Sequence, residues 1–220
     1  MNNDQSTAIA PSTTITYTEV MQLVAAKTLE LLKDEEVKQR LQPEFDDAGL
    51  YQTPDGGWQV NFRRDKKGSI PAAITMRPGD KEVFEVHGGI CGKWYKEADE
   101  GRSLGWPVSD EKPCGGGNKI SLFEKGTIFG NREKGWEMIV RPWDDSIQWL
   151  MTEAARGQVW AQAELANCYL CGFGVPKDFG LASKWLNTAK EAATEEDLKT
   201  YIERPYRRLQ AAARQFILSL

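Results

Sequence analysis

Histidine occurs once in these 220 residues, at His87, and cysteine four times, at Cys91, Cys114, Cys168 and Cys171. A lone imidazole, with no recognisable serine, cysteine or aspartate constellation beside it in the chain, gives no basis for assigning a catalytic residue. The Cys168-x-x-Cys171 spacing suits a redox or zinc motif, but no second pair with metal spacing accompanies it, so the thiols read as packed and reduced. Gly115-Gly116-Gly117 ahead of Asn118-Lys119 lacks the spacing of a phosphate-binding loop. Basic charge is not in excess either: 28 Lys and Arg against 32 Asp and Glu give a net charge of −4, which argues against broad binding of nucleic-acid phosphates. No apolar run reaches the roughly 20 residues of a membrane span. The opening MNNDQSTAIAPSTT has neither a basic start nor an apolar core for a secretory signal, which places the protein in the cytoplasm. The 32 acids offer many glycosidase-like pairings, but the sequence selects none. The reading is a non-enzyme with no catalytic residue, cofactor or metal assigned.

What is present is ordinary globular material, 40% hydrophobic and 27% charged, enough for one large or two small domains. Residues 1–14 read as a disordered tail. Thr16 and Glu19 then form a capping-box pattern that opens a helix with Tyr17, Val20, Met21, Val24, Leu31 and Leu32 on its apolar side. Asp34-Glu35-Glu36 decorates or interrupts it, and Pro43 ends it. From Leu50 the texture changes. The turn Pro54-Asp55-Gly56-Gly57 precedes the alternating Trp58–Phe62, followed by strand candidates Ala72–Met76 and Val83–Val86, with Pro78-Gly79-Asp80 as a turn between them. A small antiparallel sheet is the expected product.

Residues 87–140 carry Leu104-Gly105-Trp106-Pro107, together with Gly89, Ile90, Tyr95, Ser109, Asp110, Glu111, Phe123, Gly126 and Ile128. This stretch is similar to an LGFP repeat. The resemblance implies a compact β module that binds a polymeric or protein surface, as in bacterial proteins associated with the cell wall. Gly105 and Pro107 are expected to fix a turn presenting Trp106. Asp110 and Glu111 are expected to hold nearby backbone donors, and Phe123–Phe129 to form a hairpin around Gly126.

After Arg141-Pro142 the periodicity becomes helical. Helices are expected at 145–156, 158–170, 179–193 and 195–218, with Pro205 kinking or dividing the last. Ala161, Leu165 and Tyr169 share one face, Gly172 and Gly174 punctuate, Asp178 caps, and Ala182, Trp185, Leu186 and Ala189 form the next apolar stripe. With Gly157, Gln162 and Val175, these residues resemble a Sel1-like repeat, a relative of the tetratricopeptide unit, at about 146–193. Ala166 stands where glycine is usual. Trp149-Leu150-Met151-Thr152 recurs as Trp185-Leu186-Asn187-Thr188 about one repeat length later, so 146–155 reads as the second helix of a truncated preceding unit. One full unit cannot bury its own faces, and the β module, the C-terminal helix or another chain must cover them. Arg204, Arg207, Arg208 and Arg214 read as a solvated helix face.

The fold class is therefore α+β: an N-terminal helix and a small antiparallel β module, then an all-α Sel1/TPR-like hairpin region. The expected division is a tail at 1–14, a helix-plus-β domain at 15–141 and a helical repeat domain at 142–220. The resemblances imply a protein-binding adaptor with a concave helical groove. A bacterial immunity protein that neutralises a basic toxin is the specific form, and a glycan- or wall-binding protein is the alternative. Of the eight tryptophans, most are expected in cores. Trp94 and Trp106 are expected to be partly exposed, and the partner-binding set is Trp94, Trp106, Trp160, Tyr169 and Trp185.

Overall fold

The computed structural model describes residues 15–33, 49–62 and 72–218, with the side chain of Phe216 excepted. The expected tail at 1–14, the acidic run at 34–36 and Pro43 lie outside the described residues. The architecture is mixed α+β, with two four-stranded antiparallel sheets and helices on either side of them.

Helix α1 (Tyr17–Leu31) starts as its sequence dictates. The Thr16 hydroxyl accepts from Glu19 N–H, and the Glu19 carboxylate accepts from Thr16 N–H at 2.8 Å, closing the capping box. The first sheet comprises β1 (Leu50–Gln52), β2 (Trp58–Phe62), β3 (Ala72–Met76) and β4 (Phe84–His87), in that order. Strand β3 is buried on both faces, and its two-residue period separates two cores. Ala72, Ile74 and Met76 pack with Val20 and Val24 of α1, whereas Ala73 turns the other way with Val86.

On that second face lies α2 (Gly88–Asp99), an element absent from the sequence reading, which assigned the whole stretch from His87 to a β module. Ile90, Cys91 and Trp94 recur at three- and four-residue spacing, so a helical stripe was there to be read. The two glycines of Gly88-Gly89 and the neighbouring LGFP-like pattern masked it. Helix α2 is sandwiched, for Phe123 and Ile128 of the second sheet close the same cluster.

The second sheet runs β5 (Lys112–Pro113), β6 (Lys119–Phe123), β7 (Gly126–Asn131) and β8 (Glu137–Pro142). Its other face, with Ile120, Leu122 and Phe129, packs on the C-terminal helices α3 (Trp143–Ala155), α4 (Val159–Cys171) and α5 (Phe179–Ala192). Helix α4 ends at Gly172 in the left-handed conformation, and Asp178 caps α5 through Leu181 N–H at 2.8 Å. Gly174 matters twice. Its φ is +68°, and a Cβ there would press on Trp143 and Ile147 of α3 at 2.9 Å.

The chain then makes a capped turn (Glu195–Asp197), a π-helical segment (Leu198–Ile202) and α6 (Glu203–Leu218). The single helix expected at 195–218 is thus interrupted, just ahead of Pro205. Pro205 itself falls in the first turn of α6, where its missing N–H removes no α-helical bond within that helix, and the widened π segment absorbs the irregularity just before it.

From end to end the layers are α1, first sheet, α2, second sheet, then helices. The boundary expected near Pro142 is crossed by a continuous apolar cluster that joins Ile120, Leu122 and Phe129 to Trp160, Leu165 and Leu186. Helix α4 is buried along most of its length, between its helical neighbours and the second sheet.

Candidate functional site

The charged residues with the most chemistry gather where α1, β4, the segment before β5 and the C-terminal helices meet. Alternation along β4 sets Glu85 and His87 on one face, opposite Val86. The edge of β4 is taken by Asp110 and Glu111. Asp110 Oδ1 accepts from Glu85 N–H at 2.9 Å, Glu111 N–H donates to Glu85 O at 3.1 Å, and Glu111 Oε2 lies 3.4 Å from the His87 backbone nitrogen, which donates to it. Both acids thus hold backbone donors, as the sequence led us to expect.

His87 sits between two carboxylates. Nδ1 is 2.6 Å from Glu85 Oε1, and Nε2 is 2.9 Å from Glu111 Oε1, approached too obliquely for a well-formed hydrogen bond. Lys119 Nζ is 3.6 Å from the same Glu111 oxygen. Burial disfavours a charge on the imidazole, but Glu85 and Glu111 outweigh it and push the pKa up to about 10. The two carboxylates thus favour the charged form of the ring. Burial also pushes the Glu85 carboxyl upward, against the pull of His87. Its second oxygen, Oε2, has no hydrogen-bond partner among the described residues.

Asp110 is the hub. Its Oδ2 is 2.8 Å from Lys27 Nζ on α1 and 3.0 Å from Arg204 Nη1 on α6. Burial works against its charge, but the two cations prevail and hold the carboxyl below its ordinary range. Arg204 also donates to Val83 O at 2.7 Å and lies 4.3 Å from the centre of the Phe84 ring. One helical turn on, Arg208 pairs with Glu82 and with Asn167 of α4. The solvated arginine face read from the sequence is therefore split by helical geometry. Arg204 and Arg208, four apart, turn inward to carboxylates, whereas Arg207 and Arg214 remain exposed. Lys112 completes the cluster with Glu164 of α4 at 2.5 Å, both buried. Between α1 and the C-terminal helices, Lys27, Glu85, Asp110, Glu111, Lys112 and Arg204 wall a cleft of about 510 Å³, with Glu30, Lys199, Glu203 and Arg207 at its exposed edge.

The predicted partner-binding residues are not brought together. Trp94 is buried between the sheets, 5.9 Å from Phe123 centroid to centroid, with Nε1 donating to Gly105 O at 2.9 Å. Its expected exposure is corrected, because α2 is an internal layer. Trp160 is likewise buried, 5.3 Å from Trp149, since the second sheet covers α4. Tyr169 and Trp185 are half-buried against the same helical core. Trp106 is half-buried in the turn that Gly105 makes at φ +73°, and its Nε1 donates to Asp55 Oδ2 at 2.9 Å. The indole lies so close over Gly57 that no side chain fits beneath it.

Gly115, Gly116 and Gly117 form the tight connection between β5 and β6, all at positive φ. Cys168 is fully buried and burial pushes its thiol well up, and Cys171 is half-buried with Arg208 at 3.6 Å. Among the described residues no group of three or more His, Cys, Asp or Glu could hold a metal ion, and no helix is long and apolar enough to cross a membrane.

No protein-family model, curated protein or solved structure matches the chain. Sequence reasoning missed the roles of Glu85, Lys112, Glu164 and Arg204. The Glu85-x-His87 spacing on a predicted strand was a usable signal. The pairings with α1, α4 and α6 were not legible, because they depend on how distant elements stack.

Proposed function

We propose that the protein is a non-enzymatic, protein-binding adaptor that acts in the cytoplasm, and specifically an immunity-type protein that neutralises a basic bacterial toxin. The observation that carries this reading is the cleft of about 510 Å³ between the first and last described helices, with exposed acids and bases alternating at its edge and its interior cations already committed to carboxylates. Such a site is built to recognise charge in another molecule. A proton-transfer site would need a group poised near neutrality, and here two carboxylates favour the charged form of the one imidazole. The Sel1-like pattern at about 146–193 and the LGFP-like pattern at about 87–140 support the same reading, because both resemble units that hold partners.

The test is an affinity pull-down of the tagged protein from lysate of its native cell, read by mass spectrometry, run beside a Glu203→Arg variant at the cleft edge. One stoichiometric basic protein, lost with Glu203→Arg, supports the proposal. Recovery of no protein, with retention on purified peptidoglycan, sinks it. That outcome would favour the glycan-binding alternative, for which the specific observation is the half-exposed Trp106 paired to Asp55, an indole and a carboxylate placed as a sugar-stacking site would place them.

A further inference from the structure

Which chemical group the cleft accepts is decided by an inventory of its polar atoms. Every cation on its wall already faces a carboxylate. Lys27 and Arg204 share Asp110, Lys112 holds Glu164, Lys199 reaches Glu195 at 2.8 Å, and Arg207 reaches Glu203 at 2.9 Å. An incoming anion that reached the interior would have to displace Asp110 or Glu164 from the buried cations. The acceptor side is different. Glu85 belongs to the cleft wall and is almost entirely buried, its Oε1 is taken by His87, and its Oε2 has no partner among the described residues. A buried acceptor left without a donor is costly, and His87 cannot relieve it, because its Nδ1 is already committed to the other oxygen. At the mouth, the Glu30 and Glu203 carboxylates are 67% and 52% exposed. Leu31 on the wall offers an apolar surface to an alkyl stem.

We propose that the cleft receives a primary ammonium or guanidinium on an extended arm, a lysine or arginine side chain of the bound protein, whose N–H groups end on Glu85 Oε2 after passing Glu30 and Glu203. This rests on the protein-binding reading above and names the residue type that reading requires. The volume suits one such side chain with its flanking backbone and falls within the usual range of about 300–1,000 Å³ for a specific site. The exposed pairs at the mouth contribute little on their own, so they can rearrange around an incoming cation at small cost.

The single histidine makes the test direct. In the wild-type protein the imidazole of His87, bonded to the same carboxylate, gives a single pair of ring carbon–proton resonances, from Cε1–H and Cδ2–H. We would titrate it with Nα-acetyl-lysine methylamide, and separately with the neutral isostere Nα-acetyl-norleucine methylamide and with 1,5-diaminopentane. The expected result is a saturable shift with the lysine probe and none with norleucine, and at least tenfold weaker binding in Glu85→Gln. Should Glu85→Gln fail to fold, Glu30→Gln/Glu203→Gln is expected to weaken the lysine probe severalfold. No shift, or equal shifts with lysine and norleucine, overturns the proposal. So does diaminopentane binding more than tenfold tighter than the lysine probe, since that would make a free amine the occupant. A protein captured in the pull-down and unaffected by Glu85→Gln would sink the cleft assignment while leaving the adaptor reading intact.

Discussion

Two of the molecule's inner boundaries are held together in different ways. The seam between the second sheet and the helices is apolar, with Ile120, Leu122 and Phe129 against Trp160, Leu165 and Leu186. The junction between α1, β4 and α6 is made of ion pairs around Asp110, Glu111 and Glu164. The apolar seam gains free energy in proportion to the area it removes from water. The charged junction gains little net, since desolvation offsets the attraction, yet losing one partner leaves a bare buried charge. Stability therefore resides in the seam, and specificity of arrangement in the junction. Glu85 Oε2, one of several buried polar atoms without a hydrogen-bond partner among the described residues, lies on the charged side.

Breaking one ion pair should produce the largest effect. Glu164→Leu strands Lys112 in the interior and is expected to cost about 3–5 kcal/mol in denaturant unfolding, whereas Lys112→Met/Glu164→Leu should recover at least wild-type stability. A double variant as unstable as the single one would show that packing, and not charge, sets the cost. On the apolar side, Leu165→Ala should cost about 3 kcal/mol, seen as a lower urea midpoint with an unchanged slope. No compensating substitution across the seam is expected to restore it as completely.

Smaller again is the effect of pH. The folded pKa of His87, about 10, lies above the ordinary 6.5, so the folded state binds that proton more tightly. Its contribution is complete below about pH 6.5 and is lost as pH rises toward about 10, and the raised Glu85 carboxyl acts in the same direction. Unfolding free energy should fall from pH 6.5 to pH 9, by no more than about 3 kcal/mol. His87→Gln should flatten that slope, and an unchanged slope would dissociate it from the junction. The smallest effect belongs outside both regions. Thr194→Ala removes the capping box with Asp197 and should cost about 1 kcal/mol.

The comparison also explains what could be read in advance. Strands Trp58–Phe62 and Ala72–Met76 begin and end where period-two alternation and the flanking turns placed them, and the helices after Pro142 follow their 3.6-residue stripes. These are local signals, and the apolar seam is their direct consequence. Helix α2 was lost because Gly88-Gly89 and a β-module resemblance overrode the spacing of Ile90, Cys91 and Trp94. The junction was largely illegible for a deeper reason. Whether Arg204 is solvated or buried depends on Asp110, and no local pattern links residues so far apart in the chain. Trp94 was expected to be partly exposed for a related reason, since its burial comes from layers contributed by other segments.

Asp110 joins Lys27, 83 positions before it, to Arg204, 94 positions after it. During synthesis on a ribosome, α1 and both sheets emerge well before the arginine that completes this carboxylate's surroundings. Until α6 arrives, Asp110 has one cation instead of two, and Glu82 lacks both Arg204 and Arg208. The amino-terminal layers thus assemble with a provisional, hydrated edge, and α6, which leaves the ribosome after them, is the helix that closes it.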